Sequence, residues 1–485
     1  IGSPNAASYT ISNLTGISIA DGSGGAASNY TLTGGTHNFV VNRRVVGVSG
    51  TRLYDATTNA VASDLSTHAN LVGSQTLNLS GTGTIASKDV GSNKTVSVGT
   101  LALADGSNGG LAANYTLSSG THQLTVNQRP LNATLARQYD GTTNAAGSTL
   151  SSLDALQGGE TLTMTGSGTA ASANVANGIT MSSNGNLALA DGTGAASNYS
   201  LNSTVINIAK RVLTSSGSKT YDANTNALAA DITLGNLVSG EALNHSGTAT
   251  IGSPNAASYT ISNLTGISIA DGSGGAASNY TLTGGTHNFV VNRRVVGVSG
   301  TRLYDATTNA VASDLSTHAN LVGSQTLNLS GTGTIASKDV GSNKTVSVGT
   351  LALADGSNGG LAANYTLSSG THQLTVNQRP LNATLARQYD GTTNAAGSTL
   401  SSLDALQGGE TLTMTGSGTA ASANVANGIT MSSNGNLALA DGTGAASNYS
   451  LNSTVINIAK RVLNSSGSKL YDTNTNALAG AITLS

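Results

Sequence analysis

Arg52-Leu53-Tyr54-Asp55-Ala56-Thr57-Thr58-Asn59-Ala60 is the stretch on which the reading of this chain turns, because it returns. Its second form is Gln138-Tyr139-Asp140-Gly141-Thr142-Thr143-Asn144-Ala145, and the Tyr-Asp pair recurs at Tyr221-Asp222, Tyr304-Asp305, Tyr389-Asp390 and Tyr471-Asp472. The steps between pairs are 85, 82, 83, 85 and 82 residues. A second landmark follows each of the first five: an Asp, then an Asn-Tyr pair, as in Asp105 with Asn114-Tyr115 and Asp191 with Asn198-Tyr199. The same pattern runs from Asp21 to Asn29-Tyr30, and again in the second half of the chain. Together the two landmarks take 12 of the 14 tyrosines.

A longer period encloses the short one. Residues 251–463 repeat residues 1–213 without a change, so the large period is 250 residues and holds three diverged units of about 83 residues. Fixed self-similarity of this kind marks a repeat architecture, and about 83 residues is enough for one modest domain. Each Asn-Tyr pair leads into an alternating strand and then a basic joint: Val41-Asn42-Arg43-Arg44, Val126-Asn127-Gln128-Arg129-Pro130, Ile208-Ala209-Lys210-Arg211. Cutting there yields repeat units 44–128, 129–210, 211–293, 294–378 and 379–460, with partial units 1–43 and 461–485. No Gly/Ser-rich spacer interrupts the joints, so neighbours are expected to meet stiffly. Because the chain opens at Ile1-Gly2-Ser3-Pro4 and neither terminus falls at a joint, a window on a longer chain is expected.

Composition narrows the class. With 485 residues the chain is long enough for about three ordinary domains, but it carries 62 glycines, two phenylalanines, no tryptophan and only 9% charged residues. One large core is therefore not expected. A net charge of -2 with 38% hydrophobic residues does not suit a self-repelling disordered coil, and four prolines are too few for collagen. The absence of cysteine excludes disulfides. No apolar run reaches the length of a membrane-spanning helix, and the 20 basic and 22 acidic residues are scattered, leaving no footprint for nucleic acid.

Within 44–128, Leu77, Leu79 and Ile85 alternate, as do Val96 and Val98, then Leu101 and Leu103 up to the Asp105-Gly106 turn; period-two patterns of this kind are strands. Tyr115, Leu117, Leu124 and Val126 suggest a strand pair around Ser118-Ser119-Gly120. Residues 66–72, capped by Ser66, and the counterpart 153–156 are read as one short helical stretch. The fold class expected is thus a β-rich tandem repeat of about six small sheet modules, each with one short helix.

The residues also resemble a known family. Arg129-Pro130-Leu131 with Tyr139-Asp140-Gly141-Thr142-Thr143, the body Leu79-Ser80-Gly81-Thr82-Gly83-Thr84 with Lys88-Asp89-Val90-Gly91, and the closing Asn114-Tyr115-Thr116-Leu117 look like the YDG-type repeat of filamentous-haemagglutinin-like, giant secreted bacterial adhesins. The departures are Ala56 and Ala223 at the Gly position, and Gly73-Ser74 where Gly159-Glu160 and Gly240-Glu241 carry an acid. The resemblance implies an extracellular location, at the bacterial cell surface, and a stalk or fibre-forming segment in which modules line up as an elongated rod. A unit this size spans roughly 30–40 Å, giving a rod on the order of 200 Å. The partners expected are neighbouring repeats and identical chains pairing laterally, since sheet edges with so little charge are thinly protected.

Candidate chemistry is sparse. No two of the seven histidines sit at metal-ligand spacing, so no catalytic residue, cofactor or metal is expected and an enzyme is not the reading. Two readings of Asp55, Asp140 and Asp222 stand: an Asx-turn over the following Thr-Thr-Asn, with the preceding Tyr as a core side chain whose hydroxyl finds a polar partner, or a Ca²⁺ site shared with Asp105 or Asp191. The alternative function is a repetitive binding module for an extracellular polysaccharide or a cell-surface ligand, with weak sites summed by avidity.

Overall fold

The computed structural model describes residues 1–261, 264–368 and 370–485. Of the described residues 48% are strand, and no helix among them reaches seven residues. Its contacts define two compact units. One comprises Ile1–Leu213, Asn236–Asn244 and Ile269–Gly285; the other comprises Thr214–Gly235, His245–Ser268 and Thr286–Ser485.

In the first unit, the stretch 44–128 shows the plan. Its strands are β1 (Arg44–Val45), β2 (Gly47–Leu53), β3 (Asn59–Val61), β4 (Thr67–Ala69) and β5 (Leu77–Ser80). They continue as β6 (Thr82–Ile85), β7 (Gly91–Ser97), β8 (Ala102–Asp105), β9 (Tyr115–Thr116) and β10 (His122–Asn127). Six of them form one sheet in the order β3-β6-β7-β10-β2-β4. The last strand, β10, lies parallel to the first long one, β2, and antiparallel to β7. A smaller lobe holds the antiparallel pair β5–β8, and β9 lies parallel to β1.

Alternation explains the central strand. His122, Leu124 and Val126 of β10 are buried, whereas Asn127 is exposed. His122 is a structural rivet: its Nε2 lies 2.8 Å from the Leu117 carbonyl, and its Nδ1 accepts the Val48 N–H at 3.2 Å. A neutral imidazole meets both demands. The buried cluster runs from Val46 and Val48 through Tyr54, Leu124 and Val126, and continues into Leu131, Leu162 and Tyr199 of the next repeat. The core is therefore shared across the joint.

Two sequence expectations need correction. Residues 66–72 are not helical: Thr67–Ala69 is a strand paired antiparallel with Gly47–Ser49, and Asn70 turns out at a φ of 66°. In the counterpart, Leu153 ends a strand and Ala155 has a φ of 55°. So short a segment makes too few helical bonds to offset nucleation, while strand pairing satisfies the open edge of β2. The short helices are single 3₁₀ turns elsewhere, at Ala62–Asp64 and Ala112–Asn114. The strands flanking Ser118-Ser119-Gly120 also exist, but not as partners. With Ser119 at a φ of 58°, the turn carries the chain from the lobe to the main sheet, so β9 pairs with β1 and β10 with β2.

The stretch 129–210 follows the same plan with strands fused. Arg129–Gln138 runs parallel to Tyr199–Ala209, and Leu162–Thr165 pairs with Ala188–Asp191 in the lobe. The second unit repeats both versions: 294–378 has the six-stranded sheet and 379–460 the five-stranded one. It also holds the four-stranded sheet of Thr214–Thr220, Ile232–Gly235, Ser258–Thr260 and His287–Asn292.

Gly50 in β2 is required by close approach, since a Cβ there would lie 1.7 Å from the Asp64 carbonyl oxygen. Gly50→Ala should therefore cost about 1–3 kcal/mol, the range for overpacking. Native-state hydrogen exchange should show faster opening of the 44–128 amides; unchanged protection would contradict the packing described.

Candidate functional site: the joint between repeats

The Tyr-Asp turn is built around a buried cation. Asp55 Oδ1 accepts the Thr57 N–H at 2.9 Å, closing an Asx-turn. Arg52 donates to Asp55 Oδ2 at 2.6 Å, to the Asn59 carbonyl at 2.6 Å and to the Thr57 carbonyl at 2.6 Å. Its side chain is only 6% exposed. Arg137 plays the same part for Asp140 and Thr142, and Lys219 for Asp222 and Asn224. This basic residue three positions before each Asp was legible in the sequence. The position after Asp is left-handed whatever occupies it: φ is 61° at Ala56, 78° at Gly141 and 63° at Ala223. That geometry suits the glycine at position 141, and the two alanines carry its strain.

The turn aims the tyrosine out of its own repeat. Tyr54 is fully buried, and its ring meets Tyr199 of the following repeat edge-on, centroids 5.2 Å apart at 76°. Between them lies Glu160. Tyr54 donates to its Oε1 at 2.7 Å and Tyr199 to its Oε2 at 2.7 Å. Lys88, from the same repeat as Tyr54, pairs with Glu160 and lies 5.7 Å from the centre of the Tyr54 ring. The core tyrosine read from the sequence is thus a bridge. Its polar partner is a carboxylate 106 residues away.

The second landmark completes the joint. Asp191 accepts the Ala196 N–H at 2.7 Å and Asp105 the Ala112 N–H at 2.7 Å, each holding the 3₁₀ turn that presents the Asn-Tyr pair. Asn198, 1% exposed, accepts the Val90 N–H at 2.8 Å and donates to Asp89 at 2.9 Å, both in the preceding repeat. Asn114 reaches back in the same way to Ala6 and Asn5, while Tyr115 donates to Gln75. Asp105 and Asp191 are each engaged in this local turn and Asp55 in its own, and among the described residues no three His, Asp or Glu side chains gather as a ligand set.

The pattern recurs with varied chemistry. In the first unit Tyr139 and Tyr280 donate to the two oxygens of Glu241, each at 2.6 Å, with the rings 5.4 Å apart. In the second unit Tyr304, Glu410 and Tyr449 reproduce the first joint, with Lys338 in place of Lys88. Tyr221 meets Tyr365 across Gln325 instead. The amide Nε2 donates to the Tyr221 hydroxyl at 2.9 Å, and its oxygen accepts from Tyr365. A carboxylate takes two donated protons, whereas an amide takes one and gives one, and the hydroxyls adjust.

The Gly-acid pattern of Gly159-Glu160 points to Ser74 as the counterpart in the preceding repeat, but the residue facing Tyr115 as Glu160 faces Tyr199 is Gln75. The signal was the distance to the Asn-Tyr landmark: 39 residues for Glu160, 39 for Glu241 and 40 for Gln75. Lys88 had no comparable signal, because outside its exact copy Lys338 the positional counterparts, Ala173 and Pro254, are not basic.

The joint shifts its titrating groups. Burial raises the Tyr199 and Tyr139 hydroxyls to about 12, with the carboxylate each one faces adding to the effect. Burial also pushes the Glu160 carboxyl up, but hydrogen bonds from Lys88, Tyr54 and Tyr199 outweigh it and hold the group below its ordinary value.

These features define a class: tandem β modules in which the Tyr-Asp turn of one repeat locks onto the Asn-Tyr turn of the next. The YDG domain matches residues 42–123, 121–206, 209–287, 292–373 and 371–456, and the chain belongs to that family. No curated protein matches it.

A lowered folded-state pKa means that Glu160 stabilises the joint above the unfolded value of about 4.5 and that this contribution is lost as pH falls through the folded value. The melting temperature should therefore fall less between pH 7 and pH 3 in a Glu160→Gln, Glu410→Gln chain than in the parent; equal falls would contradict the assignment.

Proposed function

We propose that this chain is a stalk or fibre-forming segment of a large secreted bacterial surface adhesin or extracellular matrix filament, acting as a spacer. The observation that carries the reading is the joint. Both recurrent landmarks are spent on fastening each repeat to the next, through a clamp that repeats along the chain with no flexible spacer. Repeats coupled to nearest neighbours form linear arrays whose stability is a sum of modules and interfaces, which suits a projecting rod. Membership of the YDG family and the resemblance to filamentous-haemagglutinin-like proteins support an extracellular setting. Lateral pairing of identical chains belongs to the same proposal, since the main sheets end in short, sparsely charged edge strands.

Small-angle scattering discriminates the shapes. A rod on the order of 200 Å has a radius of gyration of about 58 Å, against about 23 Å for a globule of this length. A value near the lower figure would overturn the stalk reading.

A further inference from the structure

The chain's path through each repeat has a mechanical consequence. In 44–128, Val48–Leu53 runs parallel to His122–Asn127, in register. In 129–210 the pair is Arg129–Gln138 with Tyr199–Ala209, and in 379–460 it is Arg379–Gln388 with Tyr449–Ala459. The stretch 211–293 pairs Ser215–Thr220 with His287–Asn292, and 294–378 pairs Ser299–Leu303 with Gln373–Asn377, again parallel. The first long strand of every repeat is thus hydrogen-bonded to its last, side by side and pointing the same way.

The chain enters a repeat at the start of the first strand and leaves at the end of the last. In a parallel pair those two points lie at opposite ends of the shared ladder. Tension along the chain therefore pulls the two strands past one another and loads all the ladder bonds together. An antiparallel pair would place entry and exit at one end, where bonds peel one by one. Slack is also minimal: only Gln128 separates Asn127 from Arg129, and only Lys210 separates Ala209 from Arg211. At the first of these joints Arg129 donates to the Tyr54 carbonyl at 2.6 Å, tying the exit of β2 to the start of the next repeat's first strand.

We propose that the parallel first–last strand pair of each repeat is a shear clamp, and that these repeats bear tensile load along the chain. The clamp is longest in 129–210 and 379–460, whose first strands have ten residues against seven for β2, so those two repeats hold last. Use of the clamp in a stalk rests on the function proposed above; the clamp itself is a property of one repeat and is tested without reference to overall shape.

The test is single-molecule stretching of the full chain in two geometries. Because the chain has no cysteine, handles attach only where one is introduced. Pulled from its two ends, the chain should yield in steps of roughly 270–300 Å, less the folded length, for a repeat of about 83 residues at 3.3–3.6 Å each. The 129–210 and 379–460 repeats should be the last to yield. Pulled instead through Leu53→Cys and Asn127→Cys, which lie at the same end of one ladder, the 44–128 repeat should open at a several-fold lower force. Leu303→Cys with Asn377→Cys in the equivalent repeat gives the same comparison should the first pair disturb folding. Equal rupture forces in the two geometries would overturn the clamp. A chain that ruptures at high force but scatters as a globule would overturn the stalk and leave the clamp standing.

Discussion

A buried side chain held between two tyrosine hydroxyls from successive repeats is the interaction on which the architecture depends. In the first joint Glu160 accepts from Tyr54 on one oxygen and from Tyr199 on the other. Hydrogen bonds to a charged group are worth about 1.5–3 kcal/mol each, and leaving such a group unsatisfied costs more than a bond gains. The edge-on ring pair adds about 0.5–1.5 kcal/mol. A repeat that lost its neighbour would expose the rings and strand the carboxylate, so fastening is a condition of burial. Gln325 shows that charge is not the essential requirement. What recurs is a short two-ended polar side chain that both hydroxyls can reach.

This constraint accounts for the unusual composition. A chain with two phenylalanines and no tryptophan has few large side chains to place, and it puts most of its tyrosines at boundaries instead of module centres. The centres are filled by Val, Leu and Ile on alternating strands, as in β10, and by close approaches such as Gly50 against Asp64, where only glycine fits. Small cores are tolerated because the buried cluster of one repeat continues into the next, through Leu131, Leu162 and Tyr199.

Much of this was legible in the sequence. The period and the landmarks follow from spacing, and alternation marks residues 77–85 and 96–103 as strand; the breaks at Gly81 and Gly99, which divide each stretch between two sheets, do not follow from it. The Asx-turn follows from Asp before Thr-Thr-Asn. What could not be read was the destination of each tyrosine, because a side chain that crosses a joint leaves the same mark in one sequence as a side chain buried at home. The strand Thr67–Ala69 was misread for a related reason: it forms by pairing with a partner about 20 residues earlier, and no local pattern in Ser66-Thr67-His68-Ala69 announces that partner. The parallel pairing of first and last strands is likewise a long-range property. Glu160 was visible as a residue, but its role required the constant distance to the Asn-Tyr pair.

The central claim is that Tyr54 and Glu160 couple two repeats. A double-mutant cycle with Tyr54→Phe and Glu160→Ala, read by native-state hydrogen exchange in both repeats, tests it most directly. The account predicts that Tyr54→Phe lowers opening free energies in 129–210 as well as in 44–128, with a coupling of about 1–3 kcal/mol between the two sites. Additive losses, with the effect of Tyr54→Phe confined to its own repeat, would contradict it.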